Sequence, residues 1–181
     1  MFGRTDAFIW AVLLICIVCA VTDVARGKIY NWMTLPALGA GVFFAIWQAG
    51  ISGFFGACLG VLAGLVSYGW MFGLGVMGGG DVKMLMALGA WGGFRFTFEV
   101  ALLGVLVGGF FAVFHLIFRG KFFGFAFRLS HFFLTLVAKG VEPELPQIDG
   151  NLTMPYGVPI AVSAVWIIFG DPLARVGWGL W

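Results

Sequence analysis

Charge is what this chain is shortest of. Residues 29–80 contain no Asp, Glu, Lys or Arg. Over all 181 residues only 10% are charged, against roughly 25% in soluble domains. With 62% hydrophobic residues and a mean hydropathy of +1.06, a soluble fold is excluded and a polytopic membrane protein is expected. That length leaves little room for a domain outside the bilayer, so residues 1–181 are read as one membrane-embedded domain. A net charge of +2 without a basic tract gives nucleic acid nothing to hold.

Cysteine and histidine are scarce too, with three and two residues. Cys16, Cys19 and Cys58 all lie in apolar segments. Cys16-x-x-Cys19 has no Cys or His partner near it, and reads as a pair of small buried hydrophobes. Ile15 and Val18 stand before these cysteines where a lipoprotein signal wants a small residue. Arg4 and Asp6 cancel at the N-terminus, which does not read as a cleavable signal. No metal site and no cofactor are expected. His115 and His131 read as interfacial residues.

What is present is a series of apolar runs. The first covers residues 7–22, and one further helical turn brings Asp23 to the membrane boundary. Arg26, Gly27 and Lys28 form a basic loop. Thr34-Leu35-Pro36 opens a second helix, with Pro36 tolerated in its first turn; it runs to about residue 47. A glycine-bearing turn over residues 48–53 precedes a third helix over 54–74. Gly56, Gly60 and Gly64 recur every four residues there, a spacing that lets a neighbouring helix approach closely. Gly89/Gly93 and Gly104/Gly108 repeat it.

The fourth run, residues 82–94, is short, and a re-entrant loop competes with a full crossing. Charge distribution decides. With every run crossing and Met1 outside, the inner loops hold Arg26, Lys28, Lys83, Arg119, Lys121, Arg128 and Lys139, seven of the ten basic residues. A re-entrant fourth run reverses that bias, so six crossings are expected. The fifth helix covers residues 98–118 and the sixth 156–169. Between them, Lys121, Arg128, His131, Thr135 and Lys139 share one helical face, which predicts an amphipathic helix on the cytoplasmic surface. Residues 142–151 form an acidic loop.

Two acids stand out. Asp81 interrupts the charge-free run inside Gly78-Gly79-Gly80-Asp81. An ionised carboxylate in hydrocarbon costs ~2.5–3.5 kcal/mol on insertion scales, so Asp81 has to be hydrated, paired or used. The three glycines let another backbone come close to it. Asp23 meets the same inner face. Two carboxylates sharing a partly dry site supply a base and an acid together, as amide hydrolysis requires. The plain alternative for Asp23 is an ion pair with Arg26 or Lys28.

These residues resemble a known family. Gly78-Gly79-Gly80-Asp81-Val82-Lys83 is similar to the GxGDxK signature of the type IV prepilin peptidases, membrane aspartic peptidases of the GxGD kind. Thr22-Asp23, with Lys28-Ile29-Tyr30-Asn31 and Leu35-Pro36, resembles the family's other aspartate block. Met154-Pro155-Tyr156-Gly157-Val158-Pro159 resembles the start of its final helix. Members often carry Ile-Pro-Asn where this chain has Ile29-Tyr30-Asn31. The methyltransferase region of long members, with its cysteine tetrad, is missing, and the chain looks like the short form associated with tight-adherence (Flp-type) pili.

The resemblance implies a six-helix aspartic endopeptidase of the bacterial inner membrane, cutting at the cytoplasmic boundary after a leader glycine. Its implied substrate is a prepilin with a short basic leader and a hydrophobic helix. Asp23 and Asp81 would activate water, and Gly78 and Gly80 would admit the substrate backbone. Asn31 would support the site. Lys83 would either orient it or serve as an inner-face anchor. The rivals are a proton- or cation-coupled transporter using the same acids, a non-catalytic secretion-assembly subunit, and a GxGD protease acting on other membrane proteins or archaeal preflagellins.

Overall fold

The computed structural model describes residues 6–118, 120, 124, 127 and 156–170. Regular structure among them is entirely helical: α1 (Asp6–Arg26), α2 (Asn31–Gly73), α3 (Gly79–Phe118) and α4 (Gly157–Gly170). Among the described residues, three stretches are long and apolar enough to cross a membrane: Asp6–Arg26, Asn31–Gly73 and Gly79–Phe114. Large apolar side chains such as Trp10, Phe43, Trp47, Ile51 and Phe110 face outward along them. The expected amphipathic helix at 121–139 and the acidic loop at 142–151 lie outside the described residues, bar Gly124 and Phe127.

Contacts divide the chain into two compact units, Met1–Gly108 with Pro155–Trp181, and Gly109–Met154. In the second unit the described residues include an aromatic row in which Phe110 stacks on Phe114 and Phe114 packs against Phe118. The first unit carries both acids.

Within it, α2 and α3 are each broken once, and the chain doubles back at both breaks. In α2 the non-helical residues are Ala49 and Gly50. Beyond them, Gly53 lies directly against the Ala45 carbonyl. In α3 the break is Gly93, at φ 74 and ψ −175. A side chain at that φ is strained, so glycine is what lets the helix reverse there. The packing partners establish the reversal. Going along α3, Gly79 meets Phe72, Met86 meets Gly64 and Gly89 meets Gly60, descending α2; after Gly93, the Ala101 carbonyl and Gly104 meet Tyr68, ascending it again.

The first arm of α2 runs beside the first arm of α3. Asn31 is bonded to Lys83, and the Trp91 indole N–H donates to the Ala37 carbonyl at 2.8 Å. Gly41 faces Trp91 and Ala90, and Phe44 packs against Trp91. α1 closes the group, with Phe8 edge-on to Phe96 at one end and Asp23 against Gly157 at the other.

The helices start slightly earlier than the sequence suggests, at Asn31, Gly79 and just past Gly93. The close-packed face of α2 is also displaced. It runs through Gly53, Ala57, Gly60, Gly64 and Tyr68, all buried, while Gly56 is only half-buried. Gly60 and Gly64 do meet backbone. Gly104 and Gly108 instead seat the rings of Tyr68 and Tyr156.

Candidate active site

Asp23 sits in the last turn of α1 and Asp81 in the first turn of α3; they are 6% and 8% exposed. Both belong to the same end of the first unit, because α1 runs toward that end and α3 starts from it. Asp23 is among the charges acting on Asp81, and Cys19, one turn before Asp23, is within electrostatic range of both.

Each carboxylate lies against a glycine. The Gly157 N–H, at the start of α4, donates to Asp23 Oδ2 at 2.7 Å. The Asp81 N–H donates to the Gly78 carbonyl at 3.2 Å, and the Asp81 carboxylate lies beside Gly78. The orientation of Asp23 is thus set by backbone. The plain alternative for Asp23 is not realised: among the described residues no ion pair joins it to Arg26 or Lys28. Arg26 instead donates to the Tyr30 hydroxyl at 3.4 Å and lies over that ring.

The loop after α1 follows from one residue. Gly27 takes φ 61, and its N–H donates to the Asp23 carbonyl at 2.7 Å, a left-handed cap that ends the helix. Residues 28–30 then run without helical structure, Tyr30 extended at φ −86 and ψ 139, back across the end of the unit. This brings Asn31 to Lys83, whose ammonium donates to Asn31 Oδ1 at 2.8 Å. Two residues singled out separately from the sequence are therefore direct partners, on the exposed rim.

The triple glycine divides into three environments. A side chain at Gly78 would meet only the Asp81 carboxylate, at 3.1 Å. Gly79 lies against the Phe72 ring, and Gly80 against the backbone and Cβ of Ile29. Of the two glycines expected to admit another backbone, Gly80 already faces one from its own chain, and Gly78 is the exposed one.

Sequence reasoning passed over Ile29, Tyr68 and the Gly157 N–H. Tyr68 is fully buried and donates to the Ala101 carbonyl at 3.0 Å. Tyr156 donates to the Gly104 carbonyl at 3.2 Å and meets Tyr68 edge-on. Both tyrosines are within range of the Asp81 charge. Tyr156 precedes Gly157, so its anchorage on α3 holds the N–H that Asp23 accepts. A lone Tyr in an apolar run was the available signal. Among the described residues no group of three or more His, Cys, Asp or Glu could hold a metal. Cys16 and Cys19 are buried free thiols and Cys58 is exposed.

Apolar helices long enough to cross a membrane, with two buried carboxylates at one end of the unit, define an integral membrane protein. Residues 10–113 match the type IV leader peptidase family, and the chain belongs to that family. It is 37% identical over 112 residues to a prepilin leader peptidase/N-methyltransferase of Aeromonas hydrophila, covering 57% of this chain and 38% of the relative. It is 31% identical over 117 residues to the protein of the same name from Burkholderia pseudomallei (strain K96243), covering 60% and 38%. The matched part is thus well under half of these relatives' length. No solved structure matches the chain.

Proposed function

We propose that this chain is a membrane aspartic endopeptidase that removes the short N-terminal leader from Flp-type prepilins at the cytoplasmic face of the bacterial inner membrane. The observation that carries the reading is the pair of buried carboxylates, Asp23 and Asp81, at the ends of two different helices and each beside a glycine, Gly157 and Gly78. The names of the relatives supply the substrate class.

In this reading one carboxylate takes a proton from a water that attacks the scissile carbonyl, and the other gives a proton to the leaving nitrogen. Exposed Gly78 leaves room for a substrate backbone beside Asp81. The Lys83–Asn31 bond holds the loop after α1 to the first turn of α3. Six crossings, 6–26, 31–48, 51–73, 79–92, 94–118 and 157–170, are supported by the reversals at Ala49–Gly50 and Gly93. The acids then share the side that carries Arg26, Lys28 and Lys83, the inner side by the positive-inside rule.

The test is co-expression with a prepilin having a basic leader, a glycine and an apolar segment. N-terminal sequencing of the product should find the leader alone removed. A cut within the apolar segment would instead mark a general intramembrane protease.

A further inference from the structure

We infer that Ile29 is a positioning residue that sets the spacing between the Asp23 and Asp81 carboxylates. The inference rests on the reading of those two acids as the reacting pair. Ile29 touches the backbone beside both. A Cβ built on Gly80 would stand 2.9 Å from Ile29 Cβ and 3.1 Å from its carbonyl oxygen. A Cβ built on Gly157 would stand 3.0 Å from Ile29 Cδ1 and 2.8 Å from Asp23 Oδ2. Gly80 is the residue before Asp81, and Gly157 holds Asp23 through its N–H. One side chain therefore lies between the starts of α3 and α4, admitted on either side by bare glycine backbone. Branching at Cβ restricts Ile29 to few rotamers, so it acts as a stiff spacer.

The rest of the loop keeps that spacer in place. Gly27 turns the chain off α1, Arg26 holds the Tyr30 ring, and Lys83 holds Asn31. Ile29 is thereby fastened on both sides in sequence, to the helix that carries Asp23 and to the helix that carries Asp81. Losing its side chain beyond Cβ leaves these fastenings and the contact with Gly80 intact but empties the space against Gly157 at the start of α4. The carboxylates are then free to shift, and a displacement of about 1 Å costs on the order of 100-fold in rate.

The experiment compares Ile29→Ala and Ile29→Val in the full chain, purified in detergent. The probe is a precursor with a basic leader ending in glycine, followed by ~20 apolar residues. Ile29→Ala should lower kcat by about 10- to 100-fold with KM changed less than about threefold. Ile29→Val keeps the branched Cβ but loses the Cδ1 that meets Gly157, and its kcat should fall between those of the wild type and Ile29→Ala. An unchanged kcat in Ile29→Ala overturns the inference, and so does a rise in KM alone, which would make Ile29 a substrate contact. Should Ile29→Ala fail to accumulate, Gly80→Ala decides, because its added methyl pushes Ile29 from the other side; an unchanged kcat there overturns the inference equally. Asp23→Asn and Asp81→Asn are measured in parallel. If both are inactive while Ile29→Ala is fully active, only the spacer is wrong; if either Asn variant is active, the aspartic reading itself is wrong.

Discussion

The Gly157 N–H donates to Asp23 Oδ2 at 2.7 Å across 134 residues of sequence. It joins the start of α4 to the last turn of α1 and fixes the orientation of one of the two buried acids. A methyl group on Gly157 would stand 2.8 Å from that same oxygen. Gly157→Ala should therefore displace the carboxylate rather than break the fold, since a carboxylate is the movable partner in the contact. Cleavage should fall by roughly 10- to 100-fold while the protein accumulates normally. Wild-type turnover in Gly157→Ala would mean that the bond does not orient a reacting group.

Asn matches Asp in size but cannot ionise or carry a proton. Asp23→Asn and Asp81→Asn should each lower prepilin cleavage by about 1,000-fold or more, with the double variant scarcely worse, as for groups that act as a unit. A purely structural Asp23 would instead give an active Asn variant with reduced abundance. Cleavage assays alongside membrane yield separate the two outcomes.

The Lys83–Asn31 bond distinguishes an orienting lysine from a plain inner-face anchor. Lys83→Met and Asn31→Ala should each reduce activity, and a double-mutant cycle should give a coupling of about 0.5 kcal/mol, modest because the pair is exposed. An anchor acting alone predicts no coupling, with the effect of Lys83→Met unchanged in the Asn31→Ala background.

Glycines that look alike in sequence should differ in stability tests. Gly60 lies directly against the Gly89 backbone, whereas Gly39 has open space where a side chain would go. Gly60→Ala should destabilise by about 2–3 kcal/mol, seen as a lower Tm in detergent and poor accumulation. Gly39→Ala should be neutral or slightly stabilising, because alanine is the better helix former.

Topology can be read by labelling single cysteines after Cys16, Cys19 and Cys58 are replaced. Ser52→Cys, beside the reversal at Gly50, should react with an impermeant reagent from outside, and Lys28→Cys should not. Equal labelling of both positions from outside would sink the six-crossing arrangement.

Some of this was legible from local pattern. The charge-free run over 29–80, ended by Asp81 within glycine, marks both the membrane and the acid, because burying a carboxylate is costly enough to demand a reason. Four-residue glycine spacing pointed to close helix packing, and Gly60 and Gly64 bear that out. The same spacing misled at Gly56, whose neighbour Ala57 takes the buried position, and at Gly104 and Gly108, which accommodate tyrosine rings. Spacing records which residues share a helical face, but not which face meets a neighbour, or whether that neighbour presents backbone or a ring.

By itself, then, the sequence determined the apolar, helical class and singled out two acids that the fold buries, because each depends on composition or on residues a few positions apart. The tertiary structure alone decided what holds those acids. Asn31 meets Lys83 across 52 residues and Gly157 meets Asp23 across 134, while Ile29 lies between Gly80 and Gly157. Such pairings depend on where the helices break, at Ala49–Gly50 and Gly93, and on which faces then pack together. No local periodicity encodes that choice, because it is made by the fit of whole helices against one another.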